Sequence, residues 1–336
     1  ERWYTWPVPI FEIQERNFNV WWETKNLKRV NYGFLLNREN FRGRKEEVNL
    51  LVRFGYTERY GIAYNIPYLN NKQTLGMGTS FSYTRNKEIA YATFDNKLVY
   101  HKDEDNYVRN ELSARITLNY RKGIYNTQTF EVKFNSVNIA DTVMLLTNDY
   151  LNSNKTKLEF FTLYYAFVRD HRDSKAYPLK GYYLDFEMVN HGFGILEHED
   201  LNVFFIFSSV RKYWKLSEKV FLSGALKGKV SSTDRQPYYV QRGLGYKDYV
   251  RAFEYYVIDG QQYGMFKSSI KYQIIKLREK IIPLIPSAKF SKFHYALYGG
   301  IFGDAGYVKD TKYYNFNPLS NQLLYAGGAG IDFVSY

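Results

Sequence analysis

The sequence predicts an all-β fold of the transmembrane antiparallel β-barrel type, on two observations. Period-two alternation of apolar and polar residues recurs from one end of the 336-residue chain to the other, and aromatic residues make up 19% of it. An amphipathic strand has one face in oil and one in water. Aromatics in that number, at a mean hydropathy of -0.47, suit a barrel with interface girdles and a polar lumen. No window reaches the roughly 18 uninterrupted apolar residues of a membrane-spanning helix, and no fixed repeat of about 40 to 50 residues marks a soluble propeller.

Residues 111–121 show the alternation most cleanly. Leu112, Ala114, Ile116, Leu118 and Tyr120 share one parity, and Glu111, Ser113, Arg115, Thr117, Asn119 and Arg121 share the other. The pattern returns in 127–137 and 182–190, and in 75–83 the residues opposite Leu75, Met77, Phe81 and Tyr83 are Gly and Ser. In order, strands are expected at 10–22, 30–40, 46–56, 59–66, 74–85, 107–121, 125–138, 156–169, 180–190, 201–214, 218–232, 263–276, 293–307 and 321–335. These are fourteen segments, many near the about 9 to 11 residues of a tilted membrane strand. Alternate connections are short, such as Arg121-Lys122-Gly123 and Lys215-Leu216-Ser217-Glu218, and the others are longer and richer in Asn, Asp and Tyr. Short turns at one end and long loops at the other are the mark of such a barrel. No useful helix-period segment stands out, and 277–291, with Pro283 and Pro286, reads as an irregular turn.

Several chemistries are set aside. The chain has no Cys, so a disulfide framework and thiolate metal sites are excluded. The net charge of +12 comes from Lys and Arg spread along the strands rather than gathered in one stripe, which fits a solvated lumen and anionic lipid headgroups better than nucleic acid. His101, His171, His191, His198 and His294 show no metal-ligand spacing; His191 and His198 with Glu197, Glu199 and Asp200 read as a solvated acidic turn rather than a zinc site. Asp103-Glu104-Asp105 lacks the Gly and final Glu of a calcium loop. Gly224-Ala225-Leu226-Lys227-Gly228-Lys229-Val230 lacks a spacer and the Ser/Thr of a phosphate loop. No Gly-x-Ser-x-Gly is present. A non-enzyme without metal or cofactor is the expectation.

One stretch remains. Val250-Arg251-Ala252-Phe253 closes a long Tyr- and Gly-rich loop, with Gly243, Gly245 and Gly260 allowing tight turns, and Phe302-Gly303-Asp304-Ala305-Gly306 lies within a strand. On that strand Tyr295, Leu297, Gly299, Ile301 and Ala305 take the lipid parity, so Asp304 faces the lumen with His294, Tyr298 and Phe302. A carboxylate there needs a partner, and Arg251 supplies a bidentate one.

At these residues the chain resembles the BamA/TamA family of outer-membrane barrel assembly factors. The family carries a Val-Arg-Gly-Phe/Tyr tip on its sixth external loop and a Phe-x-Asp-x-Gly motif on its thirteenth strand. Asn65-Ile66-Pro67-Tyr68-Leu69 is similar to its Asn-Pro-Tyr periplasmic turn, with Ile66 inserted, and Asn40-Phe41-Arg42-Gly43 loosely to the segment joining strands two and three. The resemblance implies a structural latch of Val250, Arg251, Phe253, Phe302, Asp304 and Gly306 that holds the sixth loop in the lumen. It implies an insertase that assembles β-barrel proteins through a lateral seam, with the first strand, bearing Trp21 and Trp22, as one edge. Implied partners are nascent outer-membrane proteins, periplasmic or lipoprotein accessory subunits, outer-membrane lipid and lipopolysaccharide; the implied location is the outer membrane of a Gram-negative bacterium. The alternatives are a two-partner secretion translocase and a passive pore. Two departures lie at the site: Ala252 replaces the motif Gly, predicting a less tightly turned tip, and Lys271 stands where members often carry Glu, removing a second carboxylate for Arg251. Residues 1–9 resemble the exit from a POTRA domain, and 10–336 are expected to form the barrel without the last two of the family's sixteen strands.

Overall fold

The computed structural model describes residues 4–335 except 16, 26–28, 152–153, 198, 200, 282 and 284–290. Fourteen strands form one antiparallel sheet in chain order: β1 (Thr5–Ile13), β2 (Val30–Phe41), β3 (Glu46–Gly55), β4 (Thr57–Ile66), β5 (Leu75–Asn86), β8 (Arg109–Lys122), β9 (Asn126–Ile139), β10 (Lys157–Asp170), β11 (Gly181–His191), β12 (Val203–Lys215), β13 (Val220–Ser231), β14 (Gln262–Ile281), β15 (Lys292–Lys309) and β16 (Leu323–Ser335). A separate hairpin of β6 (Glu88–Phe94) and β7 (Lys97–Lys102) rises from the connection between β5 and β8. Short helices α1 (Phe18–Thr24) and α2 (Asp141–Leu146) occupy two further connections.

Alternation sorts the side chains as an up-and-down membrane barrel requires. Ile116, Leu118, Phe130, Val132, Leu163, Leu226, Phe266, Ile270 and Ile301 are exposed on the outer face. The opposite parity carries Asn135, Asp185, Ser209, Lys229 and Asp304, all buried on the inner side. The chain's larger apolar core lies where the loops meet the strand ends: Val108, Val137, Val143, Tyr150, Leu158, Leu201, Val203, Phe205 and Tyr238 form one cluster.

Four local expectations are corrected. The first strand is Thr5–Ile13, so it starts before the expected residue 10 and ends well before Trp21. Trp21 and Trp22 sit instead on α1, because Asn17 caps it through Oδ1 accepting from the Val20 N–H at 3.0 Å. Phe18, Trp21 and Trp22 share the i, i+3, i+4 face of that helix, their rings 5.6 to 6.3 Å apart. The β6–β7 hairpin turns at Asp95 and Asn96, both left-handed at φ 50° and 55°, a two-residue turn suited to the strand twist. Finally β14 continues through Ile281, past two irregularities in its pairing with β15, where an irregular turn was expected from 277; residues 282 and 284–290 of that expected turn lie outside the described residues.

Candidate functional site: a loop anchored in the lumen

The connection from β13 to β14 is the long loop that carries Val250 to Phe253, and it folds against the inner faces of β14, β15 and β16. Val250, Leu244 and Ile258 pack with Tyr263, Met265, Val308 and Leu324, and Phe253 joins the edge of that cluster. Gly306 makes the approach possible: a Cβ there would stand 2.6 Å from Val250 Cγ2. Gly245, at φ +100°, turns the loop beside the Tyr256 carbonyl, which would lie 2.1 Å from any Cβ.

Arg251 and Asp304 meet. The guanidinium donates from Nε to Asp304 Oδ2 at 2.8 Å and from Nη2 to Oδ1 at 2.5 Å, and the Arg251 backbone N–H also donates to Oδ2, at 3.1 Å. Nη2 further donates to the Ser268 carbonyl at 3.1 Å, and the guanidinium lies 3.7 Å from the centre of the Phe302 ring. The Asp304 side chain is 0% exposed and that of Arg251 33%. Lys267, at 4.0 Å, adds a second positive charge near the carboxylate. The arrangement is a fork on one carboxylate with a ring beneath it, which fixes the loop in position and direction.

Ala252 does not loosen the tip. It takes φ 72°, the left-handed conformation that Gly would hold freely. Ala252→Gly is therefore expected to stabilise the folded protein by about 0.5–1 kcal/mol, the strain relieved being partly offset by the freer unfolded chain. The midpoint of urea unfolding in detergent reads this directly; a lower midpoint for the Gly variant would contradict it.

Lys271 has a different task from the one its position suggested. It donates to Asp332 of β16 at 2.7 Å and to the Tyr177 hydroxyl at 2.8 Å, and Tyr177 also donates to Asp332, at 2.6 Å. Tyr177 belongs to the short-turn end of the sheet, between β10 and β11, so this turn reaches inward, and Leu179 packs with Phe221, Ala296 and Tyr298. Arg251 is left with the single carboxylate of Asp304.

Above the tip, the β6–β7 hairpin ties three loops together. The Asn96 carbonyl accepts from the Val257 N–H at 2.8 Å, its side-chain Oδ1 accepts from the Leu319 N–H at 2.9 Å, and its own N–H donates to Asn317 at 2.9 Å. Thr93 and Tyr246 donate to Asp259 Oδ2 at 2.5 and 3.1 Å. Burial pushes the Asp259 carboxyl above the usual carboxylate range, against the pull of Arg242, Thr93 and Tyr246. On the opposite side, Asn17 of the α1 cap donates to the Glu254 carbonyl at 2.9 Å and Asn19 to its carboxylate at 3.2 Å, so α1 also bears on the loop tip. Trp21 and Trp22 are thus next to the loop tip's neighbours rather than on a strand edge.

The two turns that resemble family segments hold their own contacts. Arg42, left-handed at φ 55°, grips Glu46 through two bonds of 2.8 and 2.9 Å, and Gly76 packs under the Pro67 carbonyl. His191 is enclosed by Phe160 and Phe205 and bonds Thr162 at 2.8 Å. Glu199 is buried, not solvated, accepting from the backbone N–H groups of Phe193, Ile195 and Leu196 at 2.6 to 3.0 Å. His198 and Asp200 lie outside the described residues. Among the described residues no group of three metal-ligating side chains converges.

Comparison with known proteins places the fold. BamA from Haemophilus ducreyi, solved without POTRA domains 1–3, superposes with a TM-score of 0.62 at 14% identity, over 98% of this chain and 64% of that one. CdiB from Escherichia coli gives 0.58 at 14%, over 100% and 57%, and CdiB from Acinetobacter baumannii 0.51 at 13%, over 90% and 50%. The chain therefore spans less than two thirds of the length of these solved proteins. Among curated proteins no sequence match was found. A family model described as the Omp85 superfamily domain matches residues 40–334. With that match covering most of its length, the chain belongs to the Omp85 superfamily, a family of outer-membrane β-barrel proteins.

Proposed function

We propose that this chain is the barrel of an outer-membrane insertase, which assembles β-barrel proteins at the edge of its sheet while the long loop stays latched in the lumen. The observation that carries the reading is an occupied lumen. The loop anchored by Arg251 to Asp304 lies against the inner faces of β14 and β15, the loop cluster and the β6–β7 hairpin lie at one end, and the turn bearing Tyr177 reaches inward at the other. A loop held there narrows the route for a polypeptide through the interior, whereas a strand edge offers backbone donors and acceptors to a nascent strand that must satisfy every polar group within the bilayer. The activity needs no covalent step and no nucleotide. Its clients are nascent outer-membrane proteins, its surroundings outer-membrane lipid and lipopolysaccharide, and its helpers periplasmic or lipoprotein subunits.

Planar-bilayer recordings separate this from the two alternatives, a secretion translocase and a passive pore. The intact protein is expected to give small, intermittent currents, and replacing residues 237–258 with a short Gly-Ser linker to raise them several-fold. A large steady conductance from the unaltered protein would favour the pore, and secretion of a client across client-free vesicles would favour the translocase.

A further inference from the structure

In the middle of the sheet, β10 carries a cation on the parity that faces lipid. Leu163 is exposed on the outer face, and Tyr165, Phe167 and Arg169 continue its parity to the short-turn end, with His171 just past the strand. Tyr182 of β11 shares this face directly opposite Lys212 of β12, and its carbonyl accepts from the His171 N–H at 2.8 Å. The rings of Tyr125, His171 and Tyr182 stack in a row, with centres 3.9 and 4.8 Å apart and planes inclined by 19° and 20°. The Arg169 guanidinium and the Lys212 ammonium both lie over the Tyr182 ring, 5.8 and 5.3 Å from its centre.

Two positive charges over one ring repel each other until an anion joins them. The protein does not supply one. Asp170 lies on the opposite parity and is gripped by Arg172 at 2.8 and 2.7 Å. Asp173 accepts through Oδ1 from the Ser174 and Leu179 N–H groups at 2.9 and 3.0 Å. Among the described residues neither Arg169 nor Lys212 has a carboxylate partner. An unmatched cation beside hydrocarbon is costly, and long basic side chains meet that cost by reaching the headgroup level.

The same strands also offer a place for acyl chains. Ile116, Leu118, Phe130, Val132, Leu163 and Tyr165 line an open groove of about 420 Å³ on the outer face. Tyr165 stands four residues before Arg169 on β10, about 13 Å along the strand. That separation lies within the roughly 15 Å half-thickness of the hydrocarbon core, so a lipid with its phosphate at Arg169 has its chains at the depth of the groove. Short turns of such barrels face the periplasm, which puts this level in the phospholipid leaflet.

We propose that the outer face of β10 to β12 is a binding site for one anionic phospholipid. The phosphate sits between Arg169 and Lys212 over Tyr182, and the chains lie along β10 into the groove. The site needs only the barrel in its membrane and is independent of the insertase reading.

Native mass spectrometry of the full-length protein in detergent tests this, with phosphatidylglycerol and phosphatidylcholine as probes. The unaltered protein is expected to hold one phosphatidylglycerol roughly twentyfold more tightly than phosphatidylcholine, as two basic side chains at a membrane surface provide. Arg169→Gln with Lys212→Gln is expected to abolish that preference. Lys219→Gln with Lys276→Gln removes the same charge from the neighbouring part of the same end and is expected to leave it unchanged. Glycerol phosphate, which has the charge without the chains, is expected not to displace the lipid. No preference in the unaltered protein, equal losses from the two pairs, or displacement by glycerol phosphate at equal concentration would each overturn the inference.

Discussion

Replacing Arg251 with Ala is expected to destabilise the protein by about 3–5 kcal/mol and to free the long loop from the lumen. Asp304 would keep its full burial and lose both hydrogen bonds from the guanidinium, leaving only the backbone N–H of residue 251 as a donor from the loop. Lys267, 4.0 Å away, is its nearest remaining cation and is held over the Tyr249 ring. The charge remains and the partner goes, which is the costly way to break a buried pair. Arg251→Lys keeps the charge without the fork and is expected to lose about half as much, since a point charge cannot bond both carboxylate oxygens or stack on Phe302. Arg251→Glu sets two carboxylates face to face and is expected to block folding. Combined with Asp304→Arg it is expected to regain part of the loss. Urea unfolding in detergent and protease cleavage between Gly245 and Glu254 read these effects. A wild-type midpoint and an uncut loop in Arg251→Ala would contradict the anchor.

Most of the sheet was legible in the sequence, because a membrane strand writes its two environments onto alternate residues. Strands such as β8 and β9, with Ile116, Leu118, Phe130 and Val132 outward, follow that rule without interruption. The meeting of Arg251 and Asp304 was legible for a related reason: parity put the carboxylate inward, and an inward carboxylate beside apolar neighbours demands a cation. The departures lie where no alternation operates. The α1 helix has only seven residues, yet its Asn17 cap and the Phe18, Trp21, Trp22 spacing were readable signals. The β6–β7 hairpin was marked by Asp95-Asn96, a pair suited to left-handed turns. The bond from Lys271 to Asp332 and Tyr177 joins three distant segments, and nothing local in the sequence announces it. Ala252 shows the opposite case, in which the surrounding contacts impose a backbone conformation that the residue itself disfavours.

These contacts suggest a division of labour within the barrel. The inner face of β14 and β15 holds the long loop through Asp304 at one level and, through Lys271, the turn bearing Tyr177 at another. At the end of the sheet order, β1 pairs with β2 alone among the described residues.

A crosslink at the outer edge of β1 is expected to have the other large effect. The chain contains no Cys, so a single engineered pair gives an unambiguous crosslink. Val8 is an even-numbered residue of β1, bonded to β2 in phase with Tyr4 and Gln14, hence a non-hydrogen-bonded position toward the free edge, where opposing Cα atoms approach to about 4.5 Å and accept a disulfide. In the full-length protein, Val8→Cys is joined to a cysteine on the strand that closes the barrel, and insertion of a client barrel into proteoliposomes is followed before and after oxidation. The oxidised protein is expected to lose nearly all insertion and to regain it on reduction, with the conductance unchanged throughout. Undiminished insertion by the fully crosslinked protein would contradict assembly at the sheet edge.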